Sequence, residues 1–197
     1  PLHHAVAESN YSIIQLLIKS GINLEMRDPT GWTPLHIACR IGTIEMVQLL
    51  TKHLSTFDES TRTNEGGTIF HLAVYNSDPQ VPKLILDTFR FKDIRDELGW
   101  TMLHHAVAHG QKETIEFLIE STHKLGISIE ERTTVGNTII HIACRYRDME
   151  MVDLVYNRLE NINSNIDFDT QDDYQETPIH VACGNKTSDV AIHLLQG

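Results

Sequence analysis

Cysteine is scarce: three in 197 residues, Cys39, Cys144 and Cys183, an odd set that does not make a fully paired disulfide framework. Their number points instead to a reducing, intracellular setting such as the cytoplasm. Long apolar runs are missing too. None approaches the roughly 18 residues that a membrane-spanning helix needs, so this segment is not expected to insert into a bilayer. The opening PLHHAVAESN lacks the basic-then-apolar form of a signal peptide. Positive charge is the minority, with 16 Lys and Arg against 27 Asp and Glu and a net charge of −11. No basic cluster breaks that field, which repels phosphates and argues against a nucleic-acid partner. It would steer a basic partner inward. A phosphate-binding loop is absent as well, since NEGGT has neither the full glycine pattern nor the lysine.

What the chain has is repetition. GWTPLHIACRIG at residues 31 to 42 returns as GWTMLHHAVAHG at 99 to 110, and shorter versions follow in TIFHLAVYNS, TIIHIACRYR and TPIHVACGNK, with PLHHAVAES at the start. Their histidines, His3, His36, His71, His104, His141 and His180, are spaced by 33, 35, 33, 37 and 39 residues. In every motif but the first, which lacks it, the Thr hydroxyl suits a helix N-cap, and Pro34 and Pro178 suit the first helical position, where no N–H is needed. Some ten residues on comes a second apolar patch at helical spacing. Examples are Ile13, Ile14, Leu16 and Leu17; Ile44, Met46, Val47, Leu49 and Leu50; and, in the last repeat, Val190, Ile192, Leu194 and Leu195. Each unit therefore reads as a pair of helices. A glycine marks the turn before the next Thr at Gly31, Gly66, Gly99 and Gly136. Gln175 takes that place before the last motif, where a less tightly bent turn is expected.

A period near 33 built on T-P-L-H-x-A resembles the ankyrin repeats, over essentially the whole chain. The resemblance implies an all-α solenoid of stacked helix-turn-helix pairs with projecting β-turn fingers. The six repeats divide at 1–30, 31–65, 66–98, 99–135, 136–174 and 175–197, and form a single ankyrin-repeat domain. One pair cannot bury its own apolar faces, and stacking supplies a continuous core. The chain starts inside a motif and ends without a polar capping repeat, so further repeats or domains are expected on both sides.

No metal or cofactor is expected. The resemblance gives the motif histidines a role in hydrogen bonding within and between loops. Helices that pack roughly 10 Å apart keep successive imidazoles too far from one another to share a zinc ion. His105 and His109, four apart on one helix, offer only two ligands. Each cysteine follows a motif histidine by three residues, as in His36 and Cys39. Threefold recurrence marks a packing slot rather than a nucleophile with its base. No catalytic residues are assigned, and the chain is not expected to be an enzyme.

The resemblance places partner contacts at the finger tips and at two positions late in each first helix. Carried onto this sequence, the tips are Pro29, Thr30 and Trp32; Asn64 and Glu65; Glu97, Leu98 and Trp100; Thr134, Val135 and Asn137; and Asp173, Tyr174 and Glu176. The late-helix positions are Arg40 and Ile41, Tyr75 and Asn76, Ala108 and His109, and Arg145 and Tyr146. Trp, Tyr and Arg, the usual interface hot-spot types, recur among them. The fingers after the first repeat are long. The last carries Asp167, Asp169, Asp172, Asp173 and Glu176 without Lys or Arg, a lip suited to a basic peptide.

The expected function is non-catalytic protein–protein interaction, with a partner that carries a basic segment held on the concave face and fingers. The alternatives are the cytosolic ankyrin segment of a transient-receptor-potential-like ion channel, a regulator like the NF-κB inhibitors, and an accessory recruiting domain of an enzyme.

Overall fold

A computed structural model gives the structure of residues 1–54, 57–90, 95–109, 111–122, 128–146, 149–161, 167 and 169–184. Among these, every regular element is an α-helix. The chain divides into two compact units, Pro1–Asp96 and Glu97–Gly197.

The first unit holds α1 (Leu2–Ala7), α2 (Tyr11–Lys19), α3 (Pro34–Ile41), α4 (Ile44–His53), α5 (Ile69–Ala73) and α6 (Gln80–Thr88). The capping signals act as the sequence suggests. Thr33 Oγ1 accepts from the His36 amide at 3.3 Å, with Pro34 entering the helix directly after it. Thr43 caps α4 through the Met46 amide, and Asn10 caps α2 through the Ile13 amide. Each cap satisfies an amide that would otherwise lack a partner at the helix start. Helix α1 packs on α2, α3 on α4 and α5 on α6. The first helices also stack in a row, α1 on α3 and α3 on α5, and α4 meets α6. Leu35, Met46, Val47, Leu50, Phe70, Val81 and Ile85 fill the space between them and are all buried. Burying a side chain of this size stabilises the unit by ~1.5–3 kcal/mol.

The second unit repeats the plan with α7 (Met102–His109), α8 (Lys112–Glu120), α9 (Ile139–Tyr146), α10 (Met149–Asn161) and α11 (Pro178–Gly184). Helix α7 packs on α9 and α9 on α11, while α8 packs on α10. Val152, Val155 and Leu159 of α10 recur at helical spacing and are buried. The apolar patch at Val190, Ile192, Leu194 and Leu195 lies outside the described residues.

Between helix pairs the chain forms fingers, joined to one another by backbone hydrogen bonds. The Asn64 amide donates to Thr30, Thr134 to Leu98, and Asp173 to Val135, at 2.9, 2.9 and 3.1 Å. Gly31, Gly66, Gly99 and Gly136 all take left-handed conformations, with φ from +71 to +81. Gln175 corrects an expectation. It adopts φ +62 and keeps the same turn, so the bend is not relaxed where glycine is lost. Sterics favour glycine at the earlier fingers. A Cβ on Gly31, Gly99 or Gly136 would lie 2.9, 2.7 or 3.0 Å from the backbone nitrogen of Asn64, Thr134 or Asp173 in the next finger. No further finger follows Gln175 among the described residues.

Candidate functional site

The motif histidines build the platform beneath the fingers. In each of five motifs the Thr amide donates to Nδ1 of the histidine three residues on, at 3.2 Å. An amide can only donate, so Nδ1 is unprotonated and the ring proton sits on Nε2. From there His36 donates to the Thr61 carbonyl at 3.2 Å, His141 to Glu176 at 3.1 Å and His3 to Trp32 at 2.9 Å. For His36 and His141 both ring nitrogens are thus committed to the backbone, with no lone pair left for a metal. Burial is the main force that lowers the His36 pKa to about 4, and it lowers that of His141 as well. Among the described residues no group of three or more His, Cys, Asp or Glu side chains is placed to hold a metal ion.

Cys39 and Cys144 occupy the packing slot and are buried. Burial pushes both thiols up, Cys144 to about 12, which withholds the thiolate that a nucleophile needs. Cys183 departs from the expectation, because it is exposed.

On the first unit, Arg40 at the end of α3 lies against two aromatic rings. Its guanidinium carbon lies 5.6 Å from the Trp32 ring centroid and 5.4 Å from that of Tyr75. Trp32 also meets His36 edge-on at 6.4 Å, so the finger tip is anchored to the motif beneath it. Tyr75 is half-buried, and its phenol is raised by burial, against Arg40, which lowers it, with Asp96 and Glu65 adding to the rise. Ile41 and Glu65 are exposed. The long second finger folds Phe57 onto His36 and Phe89, with ring centroids at 6.4 and 5.6 Å.

Asn76 is not on the surface. It is 3% exposed, and its Nδ2 donates to the carbonyls of Cys39 and Gly42 at 3.0 and 2.9 Å. The cause is the length of α5. In α3, α7 and α9 the fifth residue after the motif histidine is the last helical residue, and Ile41, His109 and Tyr146 there are all exposed. Helix α5 ends at Ala73, so its fifth residue falls beyond the helix and turns inward.

On the second unit, Trp100 is half-buried against His105 at 5.1 Å and meets Tyr146 edge-on at 6.1 Å and 64°. Leu98 and Tyr146 are exposed. Asn137 occupies the slot that Trp32 and Trp100 fill in their own repeats, but it is buried. Its Oδ1 accepts from Arg145 at 3.4 Å. Arg145 also faces the carboxylates of Asp172 and Glu176, each at 3.9 Å. The last finger is thus less uniform than its letters suggest. Asp172 is buried, and its Oδ1 accepts from the amides of Tyr174 and Glu176. Asp167, Asp169, Asp173, Tyr174 and Glu176 are exposed.

The letters before each motif hold a device that the helix-centred reading passed over. Nine and eight residues before the histidine stand Arg27–Asp28, Arg62–Thr63, Arg95–Asp96, Arg132–Thr133 and Gln171–Asp172. The Asp or Thr oxygen accepts from amides of its own finger: Asp28 from Thr30 and Trp32, Thr63 from Gly67, and Thr133 from Asn137. Such turns preset the finger. The arginines lace neighbouring fingers, Arg27 reaching the Arg62 carbonyl at 2.5 Å and Arg132 that of Gln171 at 3.1 Å. The recurring dipeptide was the available signal.

Comparison with known proteins agrees with this architecture. The family model described as ankyrin repeats (3 copies) matches residues 2–88, 54–131 and 125–197. A probable 26S proteasome regulatory subunit p28 of Saccharomyces cerevisiae is 32% identical over 121 residues, covering 60% of this chain and 53% of that protein. Rabankyrin-5 of Mus musculus is 27% identical over 196 residues, covering 92% of this chain and 16% of its own length. The chain therefore spans about half of the first relative and a small part of the second. Among solved structures, a chain from the complex of the predatory endopeptidase Bd0816 of Bdellovibrio bacteriovorus with the immunity protein Bd3460 superposes with a TM-score of 0.80. It is 22% identical, and the match covers 99% of this chain and 96% of that one, a likeness of fold.

Proposed function

The chain belongs to the ankyrin-repeat family, all-α solenoids that serve as protein-interaction scaffolds, and from that premise we propose that it holds a partner protein without catalysis, inside the cell, through its finger tips and the ends of its first helices. The contact set is Trp32, Arg40, Ile41, Glu65 and Tyr75 on the first unit. On the second it is Leu98, Trp100, His109, Arg145, Tyr146, Asp173, Tyr174 and Glu176. Asn76 and Asn137 support this set from below.

One observation carries the reading. Ile41, Leu98, Tyr146 and Tyr174 are 53% to 68% exposed, and all four fall at finger tips or first-helix ends. Single apolar residues on a surface are ordinary. Large ones that recur at the same two repeat positions, Ile41 with Tyr146 and Leu98 with Tyr174, suit contact with a partner. A basic segment in the partner suits the exposed Asp167, Asp169, Asp173 and Glu176 of the last finger and the net charge of −11. The withheld thiols and the backbone-committed histidines support a role without catalysis.

The test replaces Ile41, Leu98, Tyr146 and Tyr174 together by Ser. All four are exposed, so circular dichroism and the thermal midpoint should match wild type. Proteins captured from a cell extract by the wild-type chain should be lost. Retention of the same proteins would remove this face as the working surface.

A further inference from the structure

Arg40 and Arg145 stand at the same place in their repeats, four residues after His36 and His141. Around Arg145 the chain supplies its own acceptors: Asn137 Oδ1 at 3.4 Å and the carboxylates of Asp172 and Glu176 at 3.9 Å. Around Arg40 it supplies rings. The slot that holds Asn137 holds Trp32 in the earlier repeat, and the guanidinium carbon lies over the rings of both Trp32 and Tyr75, 5.6 and 5.4 Å from their centroids. Among the described residues, Arg40 donates no hydrogen bond and pairs with no carboxylate, although its side chain is exposed.

Ring faces attract a guanidinium but satisfy none of its five N–H donors, which lie in its plane and point outward from its edge. The two rings restrict the rotamers of a long side chain and leave its hydrogen-bonding edge without an acceptor among the described residues. That edge presents parallel N–H groups at the spacing of the two oxygens of a carboxylate. Part of the ordering cost of forming such a pair is already met in the free protein. Arg145 shows which chemistry this register receives when the chain itself provides it. The net charge of −11 disfavours a polyanion such as a nucleic acid but leaves room for one carboxylate within a peptide.

We propose that Arg40, held against the rings of Trp32 and Tyr75, is a carboxylate-binding site that receives an Asp or Glu side chain of the partner protein through two parallel N–H···O bonds. This rests on the reading that the finger and first-helix face binds the partner, and it adds an acidic anchor to the basic segment assigned to the last finger.

The probe is a displayed library of random dodecapeptides, selected on the whole chain. The best binder is synthesised as selected, with its shared acidic residue changed to the amide, and with phosphoserine in that place. Selected peptides should share an Asp or Glu, and the amide form should bind wild type about tenfold more weakly or worse. Arg40→Gln should weaken the parent peptide to the same degree, and the two changes together should do no more than either alone. Arg40→Lys should restore only part of the loss, because a point charge lacks the fork. Selected peptides without a common acid, or losses that simply add, would overturn the proposal. Phosphoserine binding about tenfold tighter than the acid would overturn it in favour of a phosphate site. Peptides sensitive to Ile41→Ser but indifferent to Arg40→Gln would remove the Arg40 site and leave the binding face standing. Indifference to both changes, or a library that yields no binder, would remove both.

Discussion

The imidazole of His36 donates its Nε2 proton to the carbonyl of Thr61, 25 residues further along the chain and 3.2 Å away. The same ring accepts the Thr33 amide at Nδ1. One neutral side chain thus closes the helix start of its own repeat and ties that repeat to the next finger. His141 does the same with Thr138 and Glu176. A second proton on either ring would remove the Nδ1 lone pair and break the closure.

Stability should therefore fall on mild acidification. Burial lowers the His36 pKa from 6.5 to about 4, so the folded chain refuses a proton that the unfolded chain accepts. Well above pH 6.5 neither state is protonated there, and the stabilisation is complete. As pH falls from 6.5 towards 4 it is lost at roughly 1.4 kcal/mol per pH unit for such a histidine, and below 4 the loss levels off. His141 adds a further loss of the same sign. Urea midpoints between pH 7 and 5 measure the slope, in a range where most carboxylates remain ionised. His36→Asn should be less stable at pH 7 but show a shallower slope. An unchanged slope would remove His36 from the effect.

Two glycines separate backbone strain from close packing. Gly21 and Gly99 share left-handed φ values of +76 and +71. An added Cβ meets nothing within 4 Å at Gly21, but at Gly99 it comes 2.7 Å from the Thr134 nitrogen. Gly21→Ala should cost roughly 1 kcal/mol for the conformation alone. Gly99→Ala should cost at least about 1 kcal/mol more, because the Thr134 amide that bonds Leu98 must move. Gln175→Gly should run the other way and stabilise by up to about 1 kcal/mol, since it relieves φ +62 on a residue that carries a Cβ. Equal losses at Gly21 and Gly99, read from urea midpoints, would mean that the fingers are not in close contact.

The periodic part of the sequence carried the fold. Thr caps, prolines at helix starts and apolar spacing of three and four are local signals, and each act within one turn of helix. The proposed binding surface is legible only where the repeats keep their register. Ile41, Tyr146 and Leu98 are exposed as their positions imply. Asn137 is buried because Arg145 closes over a small side chain where a tryptophan stands elsewhere. The Trp32–Arg40–Tyr75 cluster joins residues 43 positions apart, and no local pattern records it. The turn at Gln175 is set by the bonds of its own finger, the Gln175 amide to Asp172 and the Asp172 amide to Glu176, so the loss of glycine does not change it.

Asn76 is the sharpest case, and its substitution decides whether it belongs to scaffold or surface. Its Nδ2 serves the carbonyls of Cys39 and Gly42, two of the acceptors that the end of α3 leaves without helical partners, and its Oδ1 accepts the Asp78 amide at 2.9 Å. Asn76→Ala strands those buried groups and should destabilise the chain by about 2–3 kcal/mol. Asn76→Asp keeps the bond to Asp78 but turns a carboxylate oxygen toward two carbonyl oxygens, so at pH 7 it should be worse than Ala. Both should leave partner affinity unchanged under conditions where the protein is folded, because the side chain does not reach the surface. If Asn76→Ala instead keeps the wild-type urea midpoint and loses the partner, the residue works at the surface as its register implies, and the early end of α5 does not turn it inward.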